Sequence, residues 1–304
     1  MNKSRYVLIT SARNEANFIR NTLTSVVNQT VLPEKWVIVS DGSADGTNEI
    51  INEFASEFSF ITPVFLQREG QRDFGSKVRA INHGLKLLND VDYEYIGNLD
   101  ADIAFNSNYF VYLVERLDSD PELGLVGGAI HDYYNGRFHR VIHYPGSVAG
   151  AVQFFRRQCF EQIGGYSEVE VGGIDLVADV TTRMLGWKVR TFSELVVLHH
   201  RRQGTSGQGI MKARFRDGFK EYCLGHHPVF QLAKCLRRVS EWPYILSSGA
   251  RISGYIHAAF VMHGKDRPVS KEFVLYLRKE QIKRLRETLS LSLANALLKR
   301  DKRS

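Results

Sequence analysis

Residues 35–58 read KWVIVSDGSADGTNEIINEFASEF. Trp36 to Val39 form an unbroken apolar run, the pattern of a strand buried on both faces, and Asp41-Gly42-Ser43 ends it with turn chemistry. Beyond Asp45-Gly46 the spacing predicts a helix over about Thr47–Phe58. Strand, polar loop and helix thus form one unit, and the unit recurs on both sides. Arg5–Thr10 (RYVLIT) predicts a strand that feeds Ser11–Glu15 and a helix carrying Phe18, Ile19, Leu23, Val26 and Val27. Pro63–Gln67 predicts a strand, and Phe74–Leu88 a helix with Val78, Ile81, Leu85 and Leu88 on one face. Tyr93–Leu99 predicts a fourth strand, running into Asp100-Ala101-Asp102.

Strands alternating with helices in this way imply an α/β fold: a mostly parallel, Rossmann-like sheet covered by helices on both faces. Such sheets bind ligands beyond the carboxyl ends of their strands. Ser11–Glu15, Asp41–Thr47 and Asp100–Asp102 all fall at those ends, which places a site before any motif is considered. After Ser107 the pattern is more mixed, with strands predicted at Leu123–Ala129, Ala149–Phe155, Lys188–Phe192 and Leu195–Leu198. A short helix is expected at Gln158–Ile163, and another from Asp175 to Leu185, stopped by Gly186. From Gly209 onward the reading is helical, over about 209–223, 229–238, 243–262 and 270–298.

The composition fits this picture. The chain has 304 residues, 43% apolar and 24% charged, which excludes a disordered chain or a fibre and allows one large domain or two smaller ones. Cys159, Cys223 and Cys235 share no metal-ligand spacing and make no disulfide framework, so a reducing cytoplasm is expected. The first apolar run, Tyr6–Ile9, is too short for a signal-peptide core. Arg251 and His257 break the most membrane-like stretch, Trp242 to Met262. Charge is unevenly placed: residues 201–304 hold 22 Lys+Arg against 8 Asp+Glu, whereas residues 1–200 are net acidic. A basic last third suggests an anionic partner, nucleic acid or the inner leaflet of a membrane.

Asp100 and Asp102, two residues apart at a strand end, can share a divalent cation or divide between a metal and a ribose hydroxyl; Mg²⁺ and Mn²⁺ suit carboxylate plus phosphate oxygens. Asp41 at its strand tip can meet a base or ribose, while Ser43 or Asp45 caps the next helix. His199-His200-Arg201-Arg202 ends another strand, where alternation lets only one of the two histidines point inward. Arg201, Arg202 and Gly204-Thr205-Ser206-Gly207 together suit a phosphate-binding lid.

TSARNE (10–15), SDGSADGT (40–47), FGSKVRAINHGL (74–85), LDAD (99–102), FFRRQCFEQIGGY (154–166) and IDLVADVTTRMLGWKV (174–189) occur in this order. In combination they resemble the inverting family 2 glycosyltransferases of GT-A fold, over roughly residues 5–200. The resemblance implies transfer of a sugar from a nucleotide-diphosphate donor with inversion at the anomeric carbon. Ala12, Arg13, Glu15 and Asp41 would line the nucleoside pocket, and Lys77 would sit by the base or diphosphate. Asp100 would meet the ribose and Asp102 a Mg²⁺ or Mn²⁺ on the diphosphate, with Ala101 between them in the same pocket. His199 or His200 would complete the metal shell, and Arg201 and Arg202 would close on the phosphates. Arg156 is placed near the acceptor, whereas Phe154 and Phe155 read as core. Family members commonly draw the general base from an acidic pair that would fall here at Leu176-Val177. This chain offers Asp175 and Asp179 instead, four residues apart on one helix face, with Asp175 favoured at the helix start beside Gly172-Gly173.

The expected organisation is a catalytic domain over 1–208, divided into a nucleotide-sugar half (1–102) and an acceptor half (103–208), followed by a basic helical region over 209–304. Lys271–Arg286 mixes Phe273, Val274, Leu277, Ile282 and Leu285 with six basic residues. That pattern suits peripheral contact with an anionic inner membrane face, and a glycan or polyprenyl-linked acceptor in surface polysaccharide synthesis. The alternative is a helical cap with solvated basic residues. Rival functions are a nucleotidyltransferase, which would want a glycine-rich loop where SARNEAN stands, and a nucleic-acid binder, which would want aromatics interleaved on a basic face. The chain has neither, so nucleic acid is not the expected partner.

Overall fold

The computed structural model describes residues 5–67, 75–141, 144, 146–201, 209–239, 245–263 and 265–301, with side chains to 290. The chain divides into two compact units, Met1–Gln203 and Gly204–Ser304.

The first unit is built on one sheet. Its strands are β1 (Tyr6–Ala12), β2 (Lys35–Asp41), β3 (Ile61–Leu66), β4 (Tyr95–Asp100), β5 (Ile103–Phe105), β6 (Leu123–Tyr134), β7 (Arg137–Arg140), β8 (Val152–Arg156) and β9 (Lys188–His199). The helices are α1 (Ile19–Val27), α2 (Thr47–Glu57), α3 (Gly75–Leu85), α4 (Tyr109–Ser119), α5 (Arg157–Gln162) and α6 (Ile174–Met184). The strand order is β3-β2-β1-β4-β8-β6-β9-β5, with β7 paired to β6. The first four strands in that order are parallel, as the strand–helix alternation requires. Beyond β4 the sheet is mixed: β8 runs antiparallel between β4 and β6, β9 is parallel to β6, and β5 closes the edge antiparallel to β9.

Where the structure departs from the sequence reading, a local reason is visible. The two strands predicted at Lys188–Phe192 and Leu195–Leu198 are one strand, β9, whose pairing with β6 jumps from Phe192↔Gly128 to Val196↔Ala129. The interruption in apolar pattern is therefore a bulge rather than a turn. Strand β6 extends five residues past the predicted end at Ala129, and its polar last residues pair with β7. Helix α4 has Phe110, Leu113, Val114 and Leu117 on its buried face.

The core gathers large side chains where β1, β4 and β8 adjoin. Tyr6 stacks on Phe110 with ring centroids 4.8 Å apart and meets Phe154 edge-on at 5.7 Å. Phe154 and Phe155 are buried, as read from the sequence. Arg156 is a correction. It pairs with Tyr95 in register, at the opposite end of β4 from Asp100, and its guanidinium donates to the carbonyls of Leu117 (2.6 Å) and Leu123 (3.1 Å). It ties down strand starts and is remote from the polar strand ends.

The second unit holds α7 (Ile210–Cys223), α8 (Pro228–Arg237), α9 (Ile245–Val261) and α10 (Lys271–Asp301). Helices α7 and α9 touch backbone to backbone. A Cβ built on Gly218 would lie 1.8 Å from the Arg251 carbonyl oxygen, and one on Gly254 would lie 1.9 Å from that of Phe215. No described helix is long and apolar enough to cross a membrane. Beside the glycine contact, the buried Glu221 carboxylate accepts from Gln231 Nε2 (2.6 Å) and Arg251 Nε (3.0 Å) and pairs with Lys234. Gly218→Ala is expected to push α7 and α9 apart and lower the stability of this unit by about 1–3 kcal/mol, the usual range for overpacking. Far-UV circular dichroism during urea denaturation would register the loss as an earlier midpoint.

Candidate active site

Strand register alone collects the polar strand ends. Ser11 pairs with Asp100, Ala12 with Ser40, and Asp41 with Leu66. On the other side Ile103 and Asp132 both pair with His199. The order β2-β1-β4 reverses direction of progress at β1, so a crevice is expected between the loops that leave β1 and β4.

The loops after β1 and β2 are cross-linked. Asn14 adopts φ +54°, a left-handed conformation that asparagine tolerates, and its Oδ1 accepts from the Ala44 amide (2.9 Å). The Asn14 amide in turn donates to Ser43 Oγ (3.1 Å), and the Ala16 amide donates to Asp45 Oδ2 (3.1 Å). Thr47 Oγ1 donates to Asp45 Oδ1 (2.5 Å) and accepts from the Glu15 amide (2.8 Å). Asp45 therefore holds both the start of α2 and the loop after β1. Ala12, Glu15 and Asp41 are buried at this junction, with Arg13 part-exposed beside them.

Asp100, Ala101 and Asp102 follow at the end of β4. Lys77, in the first turn of α3, forms an ion pair with Asp100. Asp102 is 1% exposed and faces two cations. Its Oδ2 lies 3.2 Å from His199 Nε2 and also meets Arg201 Nε, while Arg201 Nη2 reaches Glu15 Oε1 at 2.5 Å. Burial alone would raise the Asp102 carboxyl, but the hydrogen bond from His199 and the charges of His199 and Arg201 hold it below the usual range. Burial likewise opposes a charged His199, yet Asp102 and Asp132 outweigh it and push the ring up to about 10.

Asp132 was not legible in the sequence. Its Oδ1 is 2.8 Å from His199 Nδ1, which fixes the ring's orientation. It sits on the part of β6 beyond the predicted strand end, and a single Asp in IHDYY carried no motif. Of the two adjacent histidines, His199 faces the carboxylates. The His200 ring instead stacks on Phe18 (6.5 Å) and meets Phe138 edge-on (5.8 Å). Arg202 and the Gly204–Gly207 stretch expected to form a lid lie outside the described residues.

The two candidate bases on α6 differ sharply. Asp179 is 1% exposed, accepts from the Val148 amide (3.2 Å) and pairs with Arg183 (3.0 Å). Burial raises it to about 6, against the pull of Arg183. Asp175 is half-buried at the start of α6 and packs on Gly150, where an added Cβ would stand 2.8 Å from its own Cβ. Gly150 adjoins Ala151, whose carbonyl accepts the Asp100 amide (3.0 Å), so Asp175 flanks the end of β4. Tyr166 feels both carboxylates: burial holds its hydroxyl well above the usual tyrosine range, and the charges of Asp175 and Asp100 act in the same direction.

Among the described residues no three metal-binding side chains are clustered in this conformation. The donor set nonetheless fits a hard cation: Asp102 Oδ1 is buried with no hydrogen-bond partner, and His199 Nε2 faces the same carboxylate.

The family model of glycosyl transferase family 2 matches residues 7–167, more than half of the chain. The chain belongs to this family. The glycosyltransferase is 35% identical over 115 residues to a poly-beta-1,6-N-acetyl-D-glucosamine synthase of Staphylococcus epidermidis, and 31% identical over 115 residues to the synthase of that name from Staphylococcus aureus. Each match spans 38% of this chain and 26% of the synthase. Among solved structures, the mannosyltransferase PcManGT of Pyrobaculum calidifontis, in complex with GDP-Man and Mn²⁺, superposes with TM-score 0.55 at 19% identity, over 95% of this chain and 80% of that one. Staphylococcus aureus TarS 1–349 in complex with UDP-GlcNAc superposes with TM-score 0.51 at 14% identity, over 84% and 73% of the respective chains. These likenesses establish the GT-A fold of the glycosyltransferase.

The raised pKa of His199 has a consequence for stability. A histidine whose folded pKa exceeds its unfolded value of about 6.5 stabilises fully below that value and loses the contribution as pH rises toward 10. With chelator present, urea midpoints measured from pH 7 to 10 should therefore fall more steeply in wild type than in His199→Gln. The difference is at most about 1.4 kcal/mol per pH unit, the linkage of one proton.

Proposed function

We propose that this glycosyltransferase is metal-dependent and inverting, moving a sugar from a nucleotide-diphosphate donor to a glycan or lipid-linked acceptor in surface polysaccharide synthesis. The observation that carries the reading is the convergence of Asp100, Asp102, Lys77, His199 and Arg201 where β1 and β4 part. The names of the relatives make N-acetylglucosamine the first sugar to try and UDP-GlcNAc the first donor.

Ala12, Arg13, Glu15 and Asp41 line the nucleoside end of the crevice, and Asp100 takes the ribose hydroxyls. Lys77 and Arg201 turn from their carboxylates to the diphosphate, where the planar guanidinium suits two phosphate oxygens. Asp102 and His199 would hold Mn²⁺ or Mg²⁺, which when bound neutralises the charge of the departing diphosphate. His199 donates Nδ1–H to Asp132 in that arrangement, leaving Nε2 unprotonated toward the ligand. Asp175 accepts the proton of the attacking acceptor hydroxyl on the face opposite the leaving group, as inversion requires. Asp179, buried and paired with Arg183, instead fixes α6 to the Gly146–Val148 segment. The basic C-terminal region supports a peripheral position on the inner, anionic face of the cell membrane rather than on nucleic acid.

Thermal unfolding with UDP-GlcNAc and GDP-mannose, each with and without Mn²⁺, tests the donor site. One donor should raise the melting temperature only with metal, and Asp102→Ala should lose that shift; equal shifts without metal would defeat metal dependence. For the base, Asp175→Asn should lower kcat by about 10²–10⁴-fold while donor binding survives. Asp179→Asn should keep turnover; the reverse pattern would reassign the base.

A further inference from the structure

Helix α8 is turned inside out. A surface helix of a globular protein ordinarily buries its apolar stripe and exposes its polar face. Here Gln231 and Cys235 are buried, and Gln231 and Lys234 bind the buried Glu221 of α7. The opposite face carries Val229, Leu232 and Leu236, at helical positions i, i+3 and i+7, and these are 57%, 52% and 65% exposed. The helix cannot roll to bury them. Doing so would strip Gln231 and Lys234 from Glu221, leaving that carboxylate underpaired in the interior, where breaking an ion pair is strongly destabilising. The ion network thus holds the apolar stripe outward.

A basic groove begins at the same helix. His227, the N-cap of α8, lines it together with Arg278, Lys279, Lys283 and Arg286 of α10, with Glu287 the one acid among the described lining residues. Arg278 is anchored by donating to the Gly225 carbonyl (2.9 Å), whereas Lys279, Lys283 and Arg286 are exposed. Leu275, one turn before Lys279, is 69% exposed on the same line.

We propose that the outward stripe of α8 and the basic groove of α10 form one docking surface for an anionic phospholipid bilayer. The aliphatic side chains enter the boundary of the acyl region, and the groove meets headgroup phosphates. The inference rests on the peripheral association proposed above and names the surface responsible. Charge complementarity selects this occupant: a second copy would bring two basic grooves toward each other, and the stripe has no aromatic ring on which a nucleic-acid base would stack.

Flotation of the full chain with vesicles tests the assignment. Wild type should float with phosphatidylcholine vesicles containing about one-third phosphatidylglycerol, in a salt-sensitive manner, and not with phosphatidylcholine alone. Leu232→Glu with Leu236→Glu should reduce the bound fraction about tenfold while leaving the circular dichroism melt unchanged, since both positions are exposed. Lys279→Glu with Lys283→Glu should weaken binding and flatten its salt dependence. Wild type that floats with neither vesicle overturns peripheral association itself. Wild type and the leucine variant floating equally would leave that association standing and remove α8 as its surface. A dimer detected by analytical ultracentrifugation and lost in the leucine variant would assign the stripe to a second copy and overturn the proposal.

Discussion

A carboxylate buried as deeply as Asp102 loses most of its hydration, an effective penalty of several kcal/mol unless cations and donors face it. The strand ends of the first unit are organised around that constraint. His199 comes from β9 and Arg201 from the residues just after it, so one strand delivers both cations. Asp132 on β6 and Glu15 after β1 then bind the far sides of those two groups. The result is a chain of alternating charge across the sheet, from the loop after β1 to β6. It exists only because β6 and β9 are parallel and in a register that sets Asp132 opposite His199.

On the proposed reading of the site, the same charge pattern prepares Lys77 and Arg201 for a diphosphate. Lys77 and Arg201 already lie against carboxylates at the strand ends, so phosphate oxygens would exchange one anionic partner for another. In that exchange neither cation would be left without a counter-charge.

Much of the first half was readable in the sequence because local rules and tertiary structure agree there. Val37, Ile38 and Val39 are buried in a central parallel strand, and the turn residues after them are the ones that cap and cross-link loops. Asp41, Asp100 and Asp102 stand out in the sequence because each lies at or just beyond the end of an apolar run. Asp132 does not, because it lies inside a strand whose later half is polar and whose length depends on pairing with β7. The bulge in β9 looked like two strands for a similar reason: alternation reports which face a residue takes, not whether the backbone is continuous. The choice between His199 and His200 also needed the fold, since alternation allows one inward histidine without saying which. In the C-terminal unit, composition disclosed the charge but not the placement. Glu221 draws Gln231 and Lys234 inward, and the apolar residues of α8 take the positions that remain.

Asn14 reaches the loop after β2 through its side chain, while its own amide is held by Ser43 from that loop. Together with the Asp45 and Thr47 contacts, this fastens two segments more than 25 residues apart into one plate. Swapping either segment alone for a relative's version would leave the other with broken fastenings. Re-engineering this corner is therefore a matter of exchanging both segments as a matched pair.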